Sequence, residues 1–211
     1  IVALITPFKE DRLDESNYIK LINYHLENGT HGLVPGGTTG ESPTLSHNEH
    51  KKIINLSVKE CKNKIPVIAG TGSNSTSEAV ELSKFADKAG ADGILVVTPY
   101  YNKPTQEGIY AHFSKLSSNL EDISILLYNI PSRCGVNMEP WVIAKLNSNF
   151  PNIKAIKEAS GSLDQVSKII SLCDITVLSG DDCLTLPMLS VGAKGVVSIA
   201  SNIIPNMMLD M

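Results

Sequence analysis

A closed barrel of alternating strands and helices is the fold this sequence predicts, on three observations. Eight short runs rich in Ile, Val and Leu recur along the 211 residues, helix-length amphipathic segments separate them, and polar residues gather just after the runs. Strict alternation of strand and helix implies a parallel sheet with helices covering it. Eight strands in a chain of this length favour a (β/α)8 barrel, an α/β fold, over an open doubly wound sheet. In a barrel the polar clusters converge as one ring on the carboxyl-end face, whereas an open sheet would gather them at a switch point.

The predicted strands are residues 1–5, 32–35, 66–69, 93–97, 124–128, 153–157, 175–178 and 195–199. Each is a short apolar run of the kind buried on both faces. Between them, Ser46 with Glu49, Ser75 with Glu78 and Ser162 with Gln165 have the spacing of capping boxes at helix starts. Ile19, Ile22 and Leu26 form an apolar helical stripe, and Gly29 and Gly90 stand where helices end. No linker-like stretch interrupts the pattern, so residues 1–211 are expected to form a single domain. It starts at Ile1 directly on a strand and leaves ten residues, 202–211, after the last run. We therefore expect a barrel truncated at both ends, lacking its eighth helix and anything beyond.

Lys plus Arg number 18 against 22 Asp plus Glu, a net charge of −4, with no basic block. Nucleic acid is excluded as a partner on that balance, and small molecules are expected instead. No apolar run approaches the ~20 residues of a membrane span, and the N-terminus lacks a signal-peptide pattern. Cys61, Cys134, Cys173 and Cys183 are scattered, which suits reduced thiols and a cytoplasmic setting.

Lys157 closes an apolar run on the face it is expected to share with Ile153 and Ala155. Burial there disfavours the ammonium, and a neutral amine can attack a carbonyl. Tyr128 ends the preceding strand, where a phenol can move the protons of carbinolamine formation and dehydration. Arg133, in the loop beyond, offers a planar fork for a carboxylate. The turn Gly36-Gly37-Thr38-Thr39-Gly40-Glu41-Ser42 follows a strand and could cradle an anion, but lacks the lysine of a nucleotide-phosphate loop. His47 and His50 lie one turn apart with no third ligand at suitable spacing, so no metal is expected.

Gly36-Gly37-Thr38-Thr39-Gly40-Glu41, Tyr128-Asn129-Ile130-Pro131-Ser132-Arg133-Cys134-Gly135 and Ile156-Lys157-Glu158-Ala159-Ser160-Gly161, in this order, resemble the pyruvate-dependent class I aldolases. The resemblance spans essentially the whole chain. It implies a Schiff base between Lys157 and pyruvate, attack of the enamine on aspartate 4-semialdehyde, and cyclisation toward lysine and diaminopimelate, without metal or organic cofactor. By match to its motifs, Thr39, Tyr128 and Tyr101 form a proton relay, with Tyr101 supplied by a neighbouring subunit of a homodimer or homotetramer. Thr38 and Thr39 hold the pyruvate carboxylate, Arg133 the semialdehyde carboxylate, and Gly180 and Ile199 line the pocket. Ser42, His47, His50, Asn74, Glu78 and Tyr100 match a regulatory lysine site. Cys134 stands where Thr is more usual, and Pro43 where a small residue is usual. Two other readings remain open: a sister aldolase acting on N-acetylneuraminate or a sugar acid, and a non-catalytic module binding a 2-oxo acid or amino acid.

Overall fold

The structure, a computed structural model, describes residues 1–120 and 122–211. β1 (Val2–Ala3) is followed by an antiparallel hairpin, β2 (Phe8–Lys9) and β3 (Arg12–Leu13), that the sequence reading did not anticipate. β4 (Leu33–Val34) pairs in parallel with β1, and β5 (Ile68–Gly70), β6 (Gly93–Val97), β7 (Ser124–Asn129), β8 (Ile153–Glu158) and β9 (Thr176–Ser179) form one parallel sheet in chain order. Single parallel bridges join Leu33 to Val67, Ser179 to Val196 and Val2 to Ser198. The last two insert residues 196–198 as an eighth stave between β9 and β1, and the ring closes. Every predicted strand has its counterpart, although β1, β4 and the eighth stave are shorter than expected. Pro35 ends β4 and Pro66 precedes β5, because proline cannot donate to the ladder.

Two apolar layers follow from the strand alternation. Ala3, Val34, Leu95, Leu126, Ala155 and Val197 fill the interior of the barrel. Ile94, Val96, Ile125, Leu127 and Ile156 point outward and pack with Phe113, Leu146 and Ile169 of the surrounding helices. One irregularity redirects β8: Ile125 pairs with Ile153 but Leu126 with Ala155, leaving Lys154 as an extra, exposed residue. This bulge breaks the alternation. Ile153 therefore packs outward with Ile156, correcting the expectation that it shares the face of Lys157; Ala155 does share it.

The helices are α1 (Glu15–Glu27), α2 (His47–Cys61), α3 (Thr76–Ala89), α4 (Gln106–Ser117), α5 (Pro131–Cys134), α6 (Pro140–Asn149), α7 (Leu163–Leu172), α8 (Thr185–Ser190) and α9 (Pro205–Leu209). The Ser46–Glu49 box at α2 is complete. Ser75 makes no cap bond, its hydroxyl pairing with that of Ser77, and Glu78 is drawn to the Ser73 hydroxyl and to His47. Ser162 caps α7, but the Gln165 side chain turns away to Glu158. In α1 the buried line is Tyr18, Ile22 and His25, not Ile19, Ile22 and Leu26. The polar tips of this line find partners, Tyr18 Oη at 2.9 Å from Ser57 Oγ and His25 Nδ1 at 3.1 Å from Thr30 Oγ1. No helix among the described residues is long and apolar enough to cross a membrane.

Candidate active site

Tyr128 and Lys157 are direct cross-strand partners on β7 and β8. Their side chains enter the barrel at its carboxyl end, each 4% exposed, with Lys157 Nζ 4.3 Å from the centroid of the Tyr128 ring. Burial lowers the Lys157 pKa to about 8; the Asp182 carboxylate works against the shift and the Arg133 guanidinium adds to it. The uncharged amine is therefore far more populated near neutrality than that of a solvated lysine, although the ammonium still predominates at pH 7. Burial pushes the Tyr128 phenol above its usual value, while a hydrogen bond with the Thr38 side chain and the nearby Arg133 charge pull it back. The two shifts are opposite in sign, so a phenol that keeps its proton stands beside an amine that readily gives its proton up, a pairing of acid and nucleophile.

The lysine stem fits only because the residue just after β9, Gly180, has no side chain. A Cβ on Gly180 would lie 2.7 Å from Ala159 Cβ and 2.9 Å from Lys157 Cε. Beyond it, Asp182 accepts the N–H groups of Ile199 (3.1 Å) and Ala200 (2.9 Å), which fixes the main chain at Ile199. Its other oxygen, Oδ1, is buried without a hydrogen-bond partner among the described residues. The sequence reading missed Asp182; its only signal there was a place in the polar cluster after the seventh predicted strand.

A cavity of ≈ 350 Å³ adjoins this pair, walled by Gly36, Gly37, Thr38, Tyr128 and Arg133, with Tyr100, Tyr101, Ser42 and Pro43 toward its rim. Lys157, Gly180 and Ile199 are not part of its wall, so Tyr128 is the residue common to the cavity and the amine. The glycine turn reaches the wall because Gly36 packs on β5; a Cβ on Gly70 would strike the Gly36 backbone. Thr38 lines the cavity beside Tyr128, and Thr39, the expected relay residue, is its neighbour in the same turn. Among the described residues, the N–H groups of Thr38 and Thr39 donate to no backbone acceptor, which leaves them available to an anion. Arg133 sits exposed on α5, a single turn started by Pro131 and ended by Gly135 at φ 72°. Cys134 is buried beneath it, its Sγ 3.2 Å from the Thr98 carbonyl, and burial raises its pKa to about 11.

The residues matched to a regulatory site gather beside this cavity. His47 Nε2 is 2.8 Å from a Glu78 carboxylate oxygen, and Asn74 Nδ2 donates to Asn102 Oδ1 at 3.2 Å. His50 is buried, with Nε2 donating to the Gly70 carbonyl at 2.7 Å, so its ring braces the glycine turn. No three His, Cys, Asp or Glu among the described residues come together as a metal site.

Comparison with known proteins gives one answer at every level. Residues 1–211 match the Dihydrodipicolinate synthetase family. The chain is 57% identical over 207 residues to the 4-hydroxy-tetrahydrodipicolinate synthase of Sulfurihydrogenibium sp. (strain YO3AOP1), covering 97% of this chain and 70% of that protein. The crystal structure of dihydrodipicolinate synthase from Aquifex aeolicus superposes with a TM-score of 0.97 at 50% identity, over 99% of this chain and 72% of that one. A chloride-inhibited dihydrodipicolinate synthase from Acinetobacter baumannii, complexed with pyruvate, is similar with a TM-score of 0.95 at 42% identity, over 99% and 72% of the two chains. With its closed parallel barrel and a buried lysine at the carboxyl end of a strand, this chain belongs to the Dihydrodipicolinate synthetase family.

Proposed function

We propose that this protein condenses pyruvate with aspartate 4-semialdehyde to 4-hydroxy-tetrahydrodipicolinate, through a Schiff base on Lys157. The observation that carries the mechanism is a fully buried lysine with its pKa brought to about 8, against a phenol. The neutral amine attacks the ketone carbon of pyruvate, and the carbinolamine loses water to give an iminium. Loss of a methyl proton yields the enamine, whose carbon attacks the aldehyde of the semialdehyde. The amino group of the bound adduct then attacks the iminium carbon and releases Lys157 as the ring closes. Water leaves once, and no electrons are exchanged with an external acceptor, so the reaction calls for no metal or organic cofactor.

Tyr128 is the proton carrier in this reading, and Thr39 shares the relay, with Thr38 beside it on the cavity wall. The unengaged N–H groups of Thr38 and Thr39 suit the pyruvate carboxylate, and Arg133 suits that of the semialdehyde. Tyr101 completes the relay in the site of a second copy, in a homodimer or homotetramer. Gly180 gives Lys157 its space, and Ile199 contributes main chain held by Asp182. The 211 residues act as one barrel domain, and four free thiols suit a cytoplasmic setting. The cluster of Ser42, His47, His50, Asn74, Glu78 and Tyr100 is a lysine feedback site in this reading.

Borohydride reduction in the presence of pyruvate tests the proposal. One reduced pyruvyl adduct on Lys157 is expected; an adduct on another lysine, or none on folded protein, overturns the mechanism. Parallel assays with pyruvate plus aspartate 4-semialdehyde and with N-acetylneuraminate separate this activity from a sister aldolase.

A further inference from the structure

Asn129 stands opposite Glu158 on the last rung of the β7·β8 pair, one step beyond Tyr128 opposite Lys157. Side chains alternate across a sheet, so this rung faces the helices while its predecessor faces the barrel interior. The Glu158 carboxylate is 1% exposed. It accepts from Asn129 Nδ2 at 3.2 and 3.1 Å, from Gln165 Nε2 at 3.0 Å and from the Ser160 N–H at 2.7 Å. All of these partners are donors, so a proton on either oxygen would face an N–H. Burial pushes its pKa up and these donors pull it back; only the ionised carboxylate satisfies them all, and no Lys, Arg or His among the described residues forms an ion pair with it.

A buried anion without a cation is costly, and for packing alone an apolar pair would serve as well or better. What this one supplies is direction. Its donors come from the end of β7, from the turn after β8 and from the first turn of α7. Asn129 extends the clamp: its Oδ1 accepts the Met138 N–H at 2.9 Å and its Nδ2 reaches Asn137 Oδ1 at 2.8 Å. Asn137 Nδ2 in turn donates to Gln165 Oε1 at 2.7 Å, and Gln106 of α4 donates to the Asn137 carbonyl at 2.8 Å. At the other end of β8, the bulge at Lys154 sets which face the strand presents. The Tyr128–Lys157 rung lies between these two fixed points. A tilt of the peptide plane between residues 157 and 158 would move the amine across the phenol ring.

We propose that Glu158 is a positioning residue whose carboxylate, clamped to Asn129, Gln165 and Ser160, sets the place of the Lys157 amine over the Tyr128 ring. The inference rests on the Schiff-base reading of Lys157. Attack on a carbonyl needs near-contact geometry, and a misplacement of ~1 Å costs on the order of 10²-fold in rate.

The test is Glu158→Gln, which keeps the shape of the side chain and turns one acceptor into a donor facing other donors. The maximal rate of borohydride-trapped pyruvate adduct formation and kcat are expected to fall on the order of 10²-fold. The pyruvate concentration that half-saturates trapping stays near wild type, because Glu158 does not face the cavity. Adding Asn129→Asp to Glu158→Gln returns an acceptor opposite the new donor and recovers much of the lost rate, which a merely weakened fold would not do. Should Glu158→Gln fail to fold, Gln165→Leu removes one donor of the clamp and is expected to show the same split with a smaller loss. Wild-type kcat in folded Glu158→Gln or Gln165→Leu overturns the proposal, as does a double variant without recovery. Wild-type protein that traps no pyruvate on Lys157 overturns the Schiff-base reading instead, an outcome read before any variant is made.

Discussion

Tyr128 and Tyr101 bring the same phenol to one cavity, and the protein holds them in opposite ways. Tyr128 is 4% exposed, locked on a strand against Lys157. Tyr101 is 89% exposed on the loop after β6, with its backbone at φ 71°, and Lys103 two residues on has φ 48°. A bulky side chain in the left-handed region costs on the order of 1–3 kcal/mol and persists only where the surroundings demand it. The sheet half of the site is thus organised by this chain's own packing. The loop half holds strain and an exposed aromatic, features that suit contact with a second copy.

The largest break in this comparison comes at the sheet half. Lys157→Met is expected to abolish borohydride trapping and to stabilise the fold, measured by urea denaturation at pH 7. A shift from 10.5 to about 8 corresponds to ~3 kcal/mol of desolvation cost, which the apolar substitute does not bear. The sign follows from linkage: the folded pKa lies below the unfolded one, so between them the unfolded chain binds more protons. The penalty is full below pH 8 and fades as pH rises toward 10.5. The same titration predicts that adduct formation on the wild type rises with pH and levels above about 8. A variant no more stable than wild type at pH 7, or trapping independent of pH, would contradict the desolvation account.

Gly180→Ala comes next. The added Cβ meets Lys157 Cε at 2.9 Å, so the lysine must shift, and trapping should slow on the order of 10²-fold. Overpacking should also cost ~1–3 kcal/mol in the same denaturation measurement. Normal trapping kinetics would show that the amine has freedom the packing denies it.

Arg133→Ala probes the ground between the halves. Loss of a charge-assisted carboxylate contact typically costs about 1.5–3 kcal/mol, so KM for the semialdehyde should rise ~10 to 150-fold, while pyruvate trapping shifts only slightly as Lys157 loses a minor cause of its lowered pKa. Equal weakening of both substrates would make Arg133 a scaffold residue.

The smallest expected change in stability is at the loop half. Tyr101→Gly should stabilise a monomeric preparation by ~1 kcal/mol as the left-handed strain is relieved, yet remove activity from the assembled enzyme. Mixing inactive Tyr101→Phe with inactive Tyr128→Phe subunits should restore some activity, because a shared site then regains one intact set. No recovery in verified mixed assemblies would place Tyr101 in its own barrel mouth.

The staves of the barrel were readable because strands buried on both faces must be continuous apolar runs, and each run carries that signal locally. The face of Lys157 was readable only by half. Alternation counted from Ala155 is right and counted from Ile153 is wrong, because the bulge at Lys154 exists only in the pairing of β8 with β7. The capping boxes show the same limit: Ser46 keeps its Glu49, while Glu78 and Gln165 are claimed by residues from other elements. His47 is distant in sequence from the helix start it alters, and Glu158, though near its own, belongs to the strand before it.

By itself the sequence determined the (β/α)8 fold, the ring of polar strand ends and the pairing of Lys157 with Tyr128, because these follow from periodicity and strand order. Tertiary structure decided that Thr38 and Tyr128 share one cavity wall, that Gly180 opens room for the lysine stem, that Asp182 holds the main chain at Ile199, and that Glu158 is clamped behind the site. Each of these depends on distances between staves that are far apart in the chain, and such distances are settled only when the barrel closes and the desolvated polar groups must find one another.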